Sequence, residues 1–277
     1  MIIISRQISF SIIGGNSFRA QYYFRIAKAL PEQFQIKGAV IRDEIAANEI
    51  EKKWGGVKTY RTLSYLLDKE TPDFVVVSVI PEVCSQYLIQ LAELQMPALA
   101  ETPPAKDLEG LHLLHEKLTM KDSKIQVAEQ YQFHPMQQAR ASFIDSGRLG
   151  NISEATVSIS HFYHSVSLLR KMLKVGFGEV EIRGKRFYTE IVSGPSRAGY
   201  PTEDKIETVS RDLAWLDFGD KLGIYDFTTN QHRSWVRTNH LSVRGVRGEI
   251  SDNRINIQEN DLTPLHMDLK RVNKGGI

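Results

Sequence analysis

Two histidines and a tyrosine in the segment 161–170 are the strongest candidates for proton-transfer chemistry. His161, Tyr163 and His164 place three proton-carrying side chains within four residues. Histidine titrates near neutral pH and is the usual group for acid–base catalysis. The segment joins a predicted strand to a predicted helix close to a domain junction, where catalytic groups are common. We interpret His164 as the general base, Tyr163 as its helper and His161 as a further candidate, the alternative being histidines with a structural role.

No metal-binding pattern accompanies these residues. Neither the single cysteine, Cys84, nor any carboxylate stands at helical or hairpin spacing to the histidines, as a zinc site requires. The sequence also lacks a nucleophile elbow, a Walker loop and an HExxH motif. We therefore expect no metal in this site.

A glycine-containing turn near the N-terminus is the candidate anion site. The apolar strand Ile8–Ile13 leads into Gly14-Gly15, and Asn16 or Ser17 can cap the helix that follows. The amide groups at such a helix start favour a phosphate. Only the first glycine of the dinucleotide fingerprint G-x-G-x-x-G is present, so a plain strand–helix turn is the alternative. The candidate diphosphate-binding residues are Gly14, Gly15, Asn16, Ser17, Phe18 and Arg19.

Further cofactor-binding candidates follow the later strands. Arg42 and Asp43 end the second strand, where an acid binds a ribose 2′-hydroxyl and an arginine favours a 2′-phosphate. The cofactor is therefore NAD or NADP, and Arg42 favours NADP. Ligands of open parallel sheets lie at the carboxyl ends of strands. The remaining candidates at these ends are Ser78, Val79, Pro81, Glu101, Thr102, Pro103 and Gln130.

Strands and helices alternate in the first part of the chain. Phe74–Ile80 is a nearly continuous apolar run, typical of a central parallel strand. The helix after the glycine turn repeats Phe18, Tyr22 and Ile26 on one predicted buried face. Asp107–Leu118 repeats leucines on one stripe in the same way. This order predicts an α/β fold with a Rossmann-type doubly wound parallel sheet.

After about Gly150 most predicted elements are strands. Strand-like segments alternate with Gly, Asp and Asn turns, and one helix interrupts them near Ser165–Leu173. The predicted strands are Ala155–Ser160, Val180–Phe187, Ile206–Asp217, Leu222–Phe227, Trp235–Arg244 and Arg254–Gln258. We predict an N-terminal NAD(P)-binding domain over 1–128 and a C-terminal α+β domain with a mainly antiparallel open sheet over 129–277.

Composition narrows the class of protein. The 277 residues carry 42% hydrophobic and 25% charged side chains, which is ordinary for a globular protein. A net charge of +2 gives no electrostatic reason to expect nucleic acid or a membrane surface as partner. The lone cysteine and the lack of a long apolar run or a recognisable signal peptide favour the cytoplasm.

From about Ile8 to about Gln258 the chain resembles the Gfo/Idh/MocA family of nicotinamide-dependent oxidoreductases. The resemblance rests on motifs in a common order. Ala100–Ala105 reads Ala-Glu-Thr-Pro-Pro-Ala at the place of the family's Glu-Lys-Pro signature, and Tyr131–Pro135 is similar to its Tyr-Arg-x-His-Pro segment. His164–Arg170 is similar to its His-x-x-Asp-Leu-Leu-Arg helix. Thr102 replaces the signature lysine and Ser167 the helix aspartate, as in a divergent branch. The shorter C-terminal half suggests a truncated member.

The resemblance implies an NAD(P)-dependent oxidoreductase that transfers hydride between nicotinamide and a sugar, a polyol or a similar hydroxylated small molecule. His164 would take the alcohol proton as the hydride leaves. The replacements at Thr102 and Ser167 favour an alternative, a catalytically inactive dinucleotide-binding sensor or scaffold. A third hypothesis is an interaction subunit. In each case the open C-terminal sheet is expected to be covered in a homo-oligomer.

Overall fold

The computed structural model describes residues 6–196 and 198–272, which form two compact units. The first unit extends to Glu129 and the second begins at Gln130. Each unit has its own sheet and its own buried core. No helix in the described part of the chain is both long and apolar enough to cross a membrane.

The first unit is a six-stranded parallel sheet in the order β3-β2-β1-β4-β5-β6. The strands alternate with helices along the chain, which confirms the predicted doubly wound α/β fold. The elements are β1 Ile8–Ile13, α1 Ala20–Ala29, β2 Phe34–Val40, α2 Glu44–Trp54, β3 Thr59–Tyr60, α3 Leu63–Lys69, β4 Phe74–Val77, α4 Pro81–Glu93, β5 Ala98–Ala100, α5 Leu108–Thr119 and β6 Ile125–Val127.

The central strands of this sheet are buried on both faces. Val75, Val76 and Val77 of β4 are fully buried. Val75 and Val77 pack with one apolar cluster of the unit, while Val76 packs with another that contains Phe10. Burial on both faces explains why this strand reads as a continuous apolar run.

Helix α1 buries a face that differs from the predicted one. In α1 the buried residues include Ala20, Phe24 and Ala27, whereas Phe18, Tyr22 and Ile26 are exposed. The predicted apolar face is displaced by two residues from the buried face. At 3.6 residues per turn, two residues correspond to a rotation of about 200° around the helix axis. In α5 the predicted leucine stripe is buried only toward its end: Leu114 is buried and Leu118 packs against the core, whereas Leu108 and Leu111 are exposed.

The second unit is an eight-stranded sheet in the order β14-β13-β12-β11-β7-β10-β9-β8. All strand pairs are antiparallel except β7 with β10, which confirms the predicted mainly antiparallel sheet. The elements are α6 Pro135–Asp145, β7 Ile152–Ser158, α7 Phe162–Leu173, β8 Glu181–Val192, β9 Ile206–Asp217, β10 Leu222–Thr228, β11 His240–Gly245, β12 Gly248–Ser251, β13 Arg254–Gln258 and β14 Pro264–Asp268. Short 3₁₀ helices cover Tyr131–Phe133 and Gln231–Arg233.

Helices α6 and α7 cover one face of this sheet. Val157 of β7 and Val243 of β11 are fully buried in one cluster with Leu169 of α7. A Cβ atom on Gly223 of β10 would lie 2.5 Å from the Leu169 side chain, so glycine allows α7 to approach the strand closely.

The strand predicted over Trp235–Arg244 begins only at His240. Gln231 is buried and its side-chain amide donates to the carbonyl of Ser158 at 3.1 Å and to that of Thr238 at 2.8 Å. These bonds hold the segment that precedes β11 outside the sheet. The sequence analysis also missed β12 and β14, which are only four and five residues long.

Candidate active site

The loop between β1 and α1 lies against the end of β4. Gly14 has a φ of +95°, and its N–H donates to the carbonyl of Val40 at 3.0 Å. A Cβ atom at this position would lie 2.3 Å from the carbonyl oxygen of Ser78. Only glycine fits both the backbone angle and this approach. The loop therefore sits at the β1/β4 boundary, where strand order reverses and parallel sheets bind ligands.

Side-chain hydrogen bonds fix this loop. The Ser17 hydroxyl accepts from the Ala20 amide at 3.0 Å and lies 3.0 Å from the Ser78 hydroxyl. Gln21 donates from its amide nitrogen to the Gly15 carbonyl at 2.7 Å and accepts from the Trp54 indole at 3.2 Å. Arg19 is the N-cap residue of α1 and makes no side-chain cap, but the Ser17 hydroxyl binds the first amide of the helix as a capping side chain does.

The residues of this loop fit the diphosphate of a dinucleotide. Gly15 is buried, Asn16, Ser17 and Phe18 are exposed, and Arg19 is half-buried. The Phe18 ring packs edge-on to Tyr22 with centroids 5.2 Å apart. The amides of Ala20, Gln21 and Tyr22 already donate to Ser17 and Arg19 within the turn. An anion at this turn would instead meet the loop amides that precede them and the positive end of the helix dipole, with the Arg19 side chain close by in sequence.

At the end of β2 the two candidates for ribose recognition differ. The Asp43 carboxylate caps α2 by accepting from the Ala46 amide at 2.8 Å. Arg42 is exposed. A second arginine is nearby, because Arg61 donates to the carbonyls of Ile41 at 3.0 Å and Asp43 at 3.3 Å.

The ends of β4 and β5 carry the other candidates of this unit. Ser78 is buried, Val79 is half-buried, and Pro81 is the first residue of α4. Thr102 and Pro103 are half-buried and joined by a cis peptide bond.

Glu101, which follows β5, accepts a hydrogen bond of 2.7 Å from the Tyr23 hydroxyl. Burial, with a smaller contribution from Glu101, raises the Tyr23 pKa far above its ordinary value. Burial and Glu101 also raise the pKa of the Cys84 thiol to about 11, so this thiol is no nucleophile at neutral pH.

In the second unit the three predicted acid–base residues lie together at the start of α7. His164 is only 4% exposed. Its ring centroid is 4.4 Å from that of Tyr163 and 5.1 Å from that of His161. His161 occupies the N-cap position, and Tyr163 is partly exposed. One buried titratable group next to two accessible ones suits proton exchange with a bound ligand.

The backbone beside this cluster is strained. Phe162 has a φ of +44°, a region that bulky residues avoid. Its amide donates to the Tyr225 hydroxyl at 3.0 Å. Burial raises the Tyr225 pKa, so this hydroxyl stays protonated near neutral pH. Strain of this kind often marks functional sites.

Tyr131 extends the cluster. Its hydroxyl accepts from the Ser160 hydroxyl at 2.8 Å, and its ring centroid lies 5.0 Å from His164 and 5.1 Å from His134. Gln130, a predicted cofactor-binding residue, is half-buried and immediately precedes the 3₁₀ helix that contains Tyr131.

A cavity of about 320 Å³ continues from Tyr131, and the sequence analysis did not find it. Two signals were available: the Tyr131–Pro135 motif itself, and the polar pair Gln137 and Arg140 at i, i+3 spacing on a helix. The cavity is lined by Tyr131, His134, Gln137, Arg140, Ile159, His232, Asn239, His240, Leu241 and Asp252. The described residues contain no group of three or more His, Cys, Asp or Glu side chains placed to hold a metal ion.

The first unit has the architecture of a dinucleotide-binding Rossmann domain, with its glycine turn at the point where strand order reverses. Residues 8–129 match the family GFO_IDH_MocA, described as an oxidoreductase family with an NAD-binding Rossmann fold. Residues 8–129 are therefore similar to the Gfo/Idh/MocA family of oxidoreductases, which is described by an NAD-binding Rossmann fold.

Solved structures similar to this chain share its fold at low sequence identity. An oxidoreductase from Agrobacterium radiobacter, in complex with NAD⁺, L-tartaric acid and magnesium, is 16% identical with a TM-score of 0.68, covering 95% of this chain and 80% of that one. Levoglucosan dehydrogenase in complex with NADH is 15% identical with a TM-score of 0.69, covering 96% and 80%. The WlbA dehydrogenase from Bordetella pertussis, in complex with NADH and UDP-GlcNAcA, is 17% identical with a TM-score of 0.64, covering 89% and 78%. A comparison with curated proteins gave no match.

Proposed function

We propose that the protein is an NAD(P)-dependent oxidoreductase that transfers hydride between nicotinamide and a hydroxyl-bearing carbon of a sugar, a polyol or a similar small molecule. The observation that carries the proposal is the buried His164, grouped with Tyr163 and His161 beside strained backbone. The similarity of residues 8–129 to an oxidoreductase family with an NAD-binding Rossmann fold supports a dinucleotide-binding first unit. Levoglucosan dehydrogenase and the UDP-GlcNAcA complex of WlbA support a carbohydrate-like substrate.

In this proposal the first unit binds the cofactor and the second unit carries the proton-transfer residues. The nicotinamide, when bound, accepts or supplies the hydride. In the first unit the amides of the Gly14–Arg19 turn bind the diphosphate, and residues after β4 and β5, such as Val79 and Thr102, border the rest of the cofactor. In the second unit His164 takes the proton of the substrate hydroxyl as the C–H hydride leaves, and Tyr163 donates a hydrogen bond that orients the substrate oxygen. His161 is the exposed relay through which the proton reaches water.

We also propose NADP as the preferred cofactor. Arg42 is exposed at the end of β2, and the Asp43 carboxylate is engaged in capping α2. An arginine at this position favours a 2′-phosphate, whereas a ribose 2′-hydroxyl needs an available acid. Tighter binding of NADH than of NADPH, unchanged by Arg42→Ala, contradicts this preference.

A charged substitution at Ser17 tests the cofactor site without removing the helix cap. Aspartate caps helices about as well as serine, so Ser17→Asp is expected to fold normally. Its carboxylate would repel the diphosphate, and we expect at least tenfold weaker NADPH binding by fluorescence titration. Thr62→Asp is the matched control, because Thr62 caps α3 by accepting from the Tyr65 amide. Equal NADPH affinity of wild type and Ser17→Asp would refute the proposed site.

The alternative function is that of a sensor or scaffold that binds the dinucleotide and does not turn over. Thr102 and Ser167, in place of the family lysine and aspartate, favour it. A screen of sugars and polyols for absorbance changes at the reduced-nicotinamide band separates the two functions. Cofactor binding with no turnover of any hydroxylated compound supports the sensor.

We further propose that the open face of the second sheet forms a homo-oligomer. Arg183, Trp215 and Ile224 are register neighbours across β8, β9 and β10. By strand alternation they lie on the face opposite Gly223, which packs on α7. Trp215 is 50% exposed. A twofold axis would place this patch against itself and bury the tryptophans.

A further inference from the structure

The cavity next to Tyr131 lies wholly within the second unit and is built from five separate stretches of chain. It is bounded by the segment from Tyr131 into α6, the end of β7, the 3₁₀ helix that contains His232, the start of β11 and the turn after β12. Its volume of about 320 Å³ is at the lower end of the range for small-molecule sites. The space suits a monosaccharide-sized ligand and is too small for a dinucleotide.

A buried arginine lies in the wall of this cavity. Arg140 is 7% exposed, and each of its three nitrogens makes one hydrogen bond. Nε donates to the Asp252 carbonyl at 2.8 Å, Nη1 to the Gln137 side chain at 2.8 Å, and Nη2 to the Asn253 side chain at 3.1 Å. A guanidinium has five N–H donors. One donor on each Nη therefore remains for a ligand, in the paired arrangement that binds a carboxylate.

The Asp252 side chain acts on this arginine only through its charge, which opposes the lowering of the Arg140 pKa by burial, while both of its carboxylate oxygens have other hydrogen-bond partners. Oδ1 accepts from the Leu241 amide at 2.9 Å, and Oδ2 lies 3.0 Å from Nδ1 of His240. Because a carboxylate oxygen accepts, Nδ1 of His240 is the donor in this bond, which leaves Nε2 for a ligand. A ligand hydroxyl suits this nitrogen because a hydroxyl can both donate and accept.

We propose that this cavity binds a hydroxylated carboxylic acid of sugar size, with its carboxylate on Arg140 and a hydroxyl on Nε2 of His240. The proposal rests on the proposed oxidoreductase function and narrows its substrate class from hydroxylated compounds in general to sugar acids. Tyr131 connects the cavity to the acid–base cluster, because its ring contacts both His134, which lines the cavity, and His164. A ligand held here would present its other carbons toward the proton-transfer residues.

D-Glucuronate and D-glucose are the paired probes for this site, because they differ in one carboxylate. Isothermal titration of the full chain, with and without NADPH, is expected to show at least tenfold tighter binding of glucuronate than of glucose. Equal affinity for the two sugars would overturn the proposal. Tighter binding of D-glucose 6-phosphate than of glucuronate would also overturn it, since the site would then be selective for phosphate.

Two variants locate the binding in the cavity. Arg140→Lys keeps the charge and loses the paired donors, and we expect at least tenfold weaker glucuronate binding. Arg148→Lys is the matched control, because Arg148 pairs with Glu259 away from the cavity lining. His240→Phe is expected to weaken binding of both sugars, and it carries the test if Arg140→Lys fails to fold. Unchanged glucuronate affinity in a folded Arg140→Lys or in His240→Phe would overturn the proposal.

The NADPH titration separates this proposal from the broader one. Neither cavity variant touches the β1–α1 loop, so NADPH affinity is expected to equal that of wild type. A wild-type protein that binds NADPH but does not prefer glucuronate to glucose would refute the cavity proposal alone. A wild-type protein that binds neither NADPH nor NADH would refute the proposed function.

Discussion

His164 combines burial with close contact to two more accessible proton-carrying rings. Such a position lets the group reach a bound hydroxyl while limiting its exchange with bulk water. The sequence indicated these three residues through their spacing alone. The angle at Phe162 and the contacts of Tyr131 could not be predicted from the sequence. The Phe162 amide donates to the Tyr225 hydroxyl and the Ser160 hydroxyl donates to that of Tyr131, and the partners in each bond are far apart in the chain.

Replacing His164 tests its role as the general base. His164→Asn retains a polar side chain of similar size and is expected to lower turnover about 10²–10⁴-fold. Steady-state kinetics with the best compound from the substrate screen measures the loss. NADPH affinity is expected to stay unchanged. Turnover at the wild-type rate would show that another group takes the proton.

The positive φ of Phe162 makes a prediction about stability. A residue with a Cβ atom in the left-handed region costs about 1–2 kcal/mol relative to glycine. We therefore expect Phe162→Gly to have a higher free energy of unfolding than Phe162→Ala, by about 1 kcal/mol, in urea denaturation. At an ordinary helical angle alanine would be the more stable of the two. That order would mean that the angle is not retained in solution.

Among the elements, the hairpin of β12 and β13 matters most for the cavity. Its two-residue turn, Asp252 and Asn253, supplies three of the groups that hold Arg140 and His240. Strand β13 was predicted and β12 was not, because a four-residue strand gives too short an alternation to recognise. Strand β4, also four residues long, was predicted as a buried strand because burial on both faces gives a continuous apolar run, but it ends at Val77 and not at Ile80.

Gly248, the first residue of β12, is required for the pairing of this hairpin. A Cβ atom there would lie 2.1 Å from the carbonyl oxygen of Asn256 and 2.8 Å from the Cα atom of Ile257. Backbone atoms cannot move aside as a side chain does, so Gly248→Ala should lower the free energy of unfolding by about 3 kcal/mol. Gly176→Ala is the control, with no atom within 4 Å of its Cβ. Equal urea midpoints for the two variants would contradict the observed register.

For the whole molecule, the order of elements was predictable and the packing of several was not. Alternation of strands and helices, followed by a run of strands, was enough for the fold class. The exposed stripe Phe18, Tyr22 and Ile26 shows the limit, because apolar spacing does not say which of two helix faces meets the sheet. The cavity escaped prediction because its side chains come from segments far apart in the chain.

Acid is expected to destabilise both units through their hydrogen-bonded carboxylates. The Tyr60 hydroxyl, and then Lys58, lower the pKa of Glu70, and Arg186 lowers that of Asp212. The unfolded chain binds protons at these groups first, so their stabilisation is complete above the ordinary carboxyl pKa of about 4 and is lost as pH falls through the folded pKa. Glu70→Gln should therefore be less stable than wild type at pH 7, with a difference that shrinks below pH 4.

Urea denaturation at pH 7, 4 and 3 measures this effect. Glu32→Gln on the surface is the charge-matched control, for which the difference from wild type should stay small at each pH. A difference in the free energy of unfolding between wild type and Glu70→Gln that grows as the pH falls would contradict a lowered pKa of Glu70.

Light scattering after size-exclusion chromatography measures the mass of the protein in solution and tests the proposed oligomer. Trp215→Glu places a charge on the open face of the sheet and should reduce the mass to that of one chain. Trp235→Glu is the control, because Trp235 is also exposed and lies outside the strands. A wild-type mass equal to one chain would contradict the proposed assembly.

The central position of β7 has a consequence for folding kinetics. This strand pairs with β10 on one side and β11 on the other, through residues such as Glu154 with Leu222 and Ser158 with His240. Strands β10 and β11 lie far from β7 in the sequence. Long loops must therefore close before the middle of the sheet can form. Chains with so many non-local pairings fold in milliseconds to seconds, more slowly than helical proteins. We expect the second unit to set the refolding rate of the whole chain.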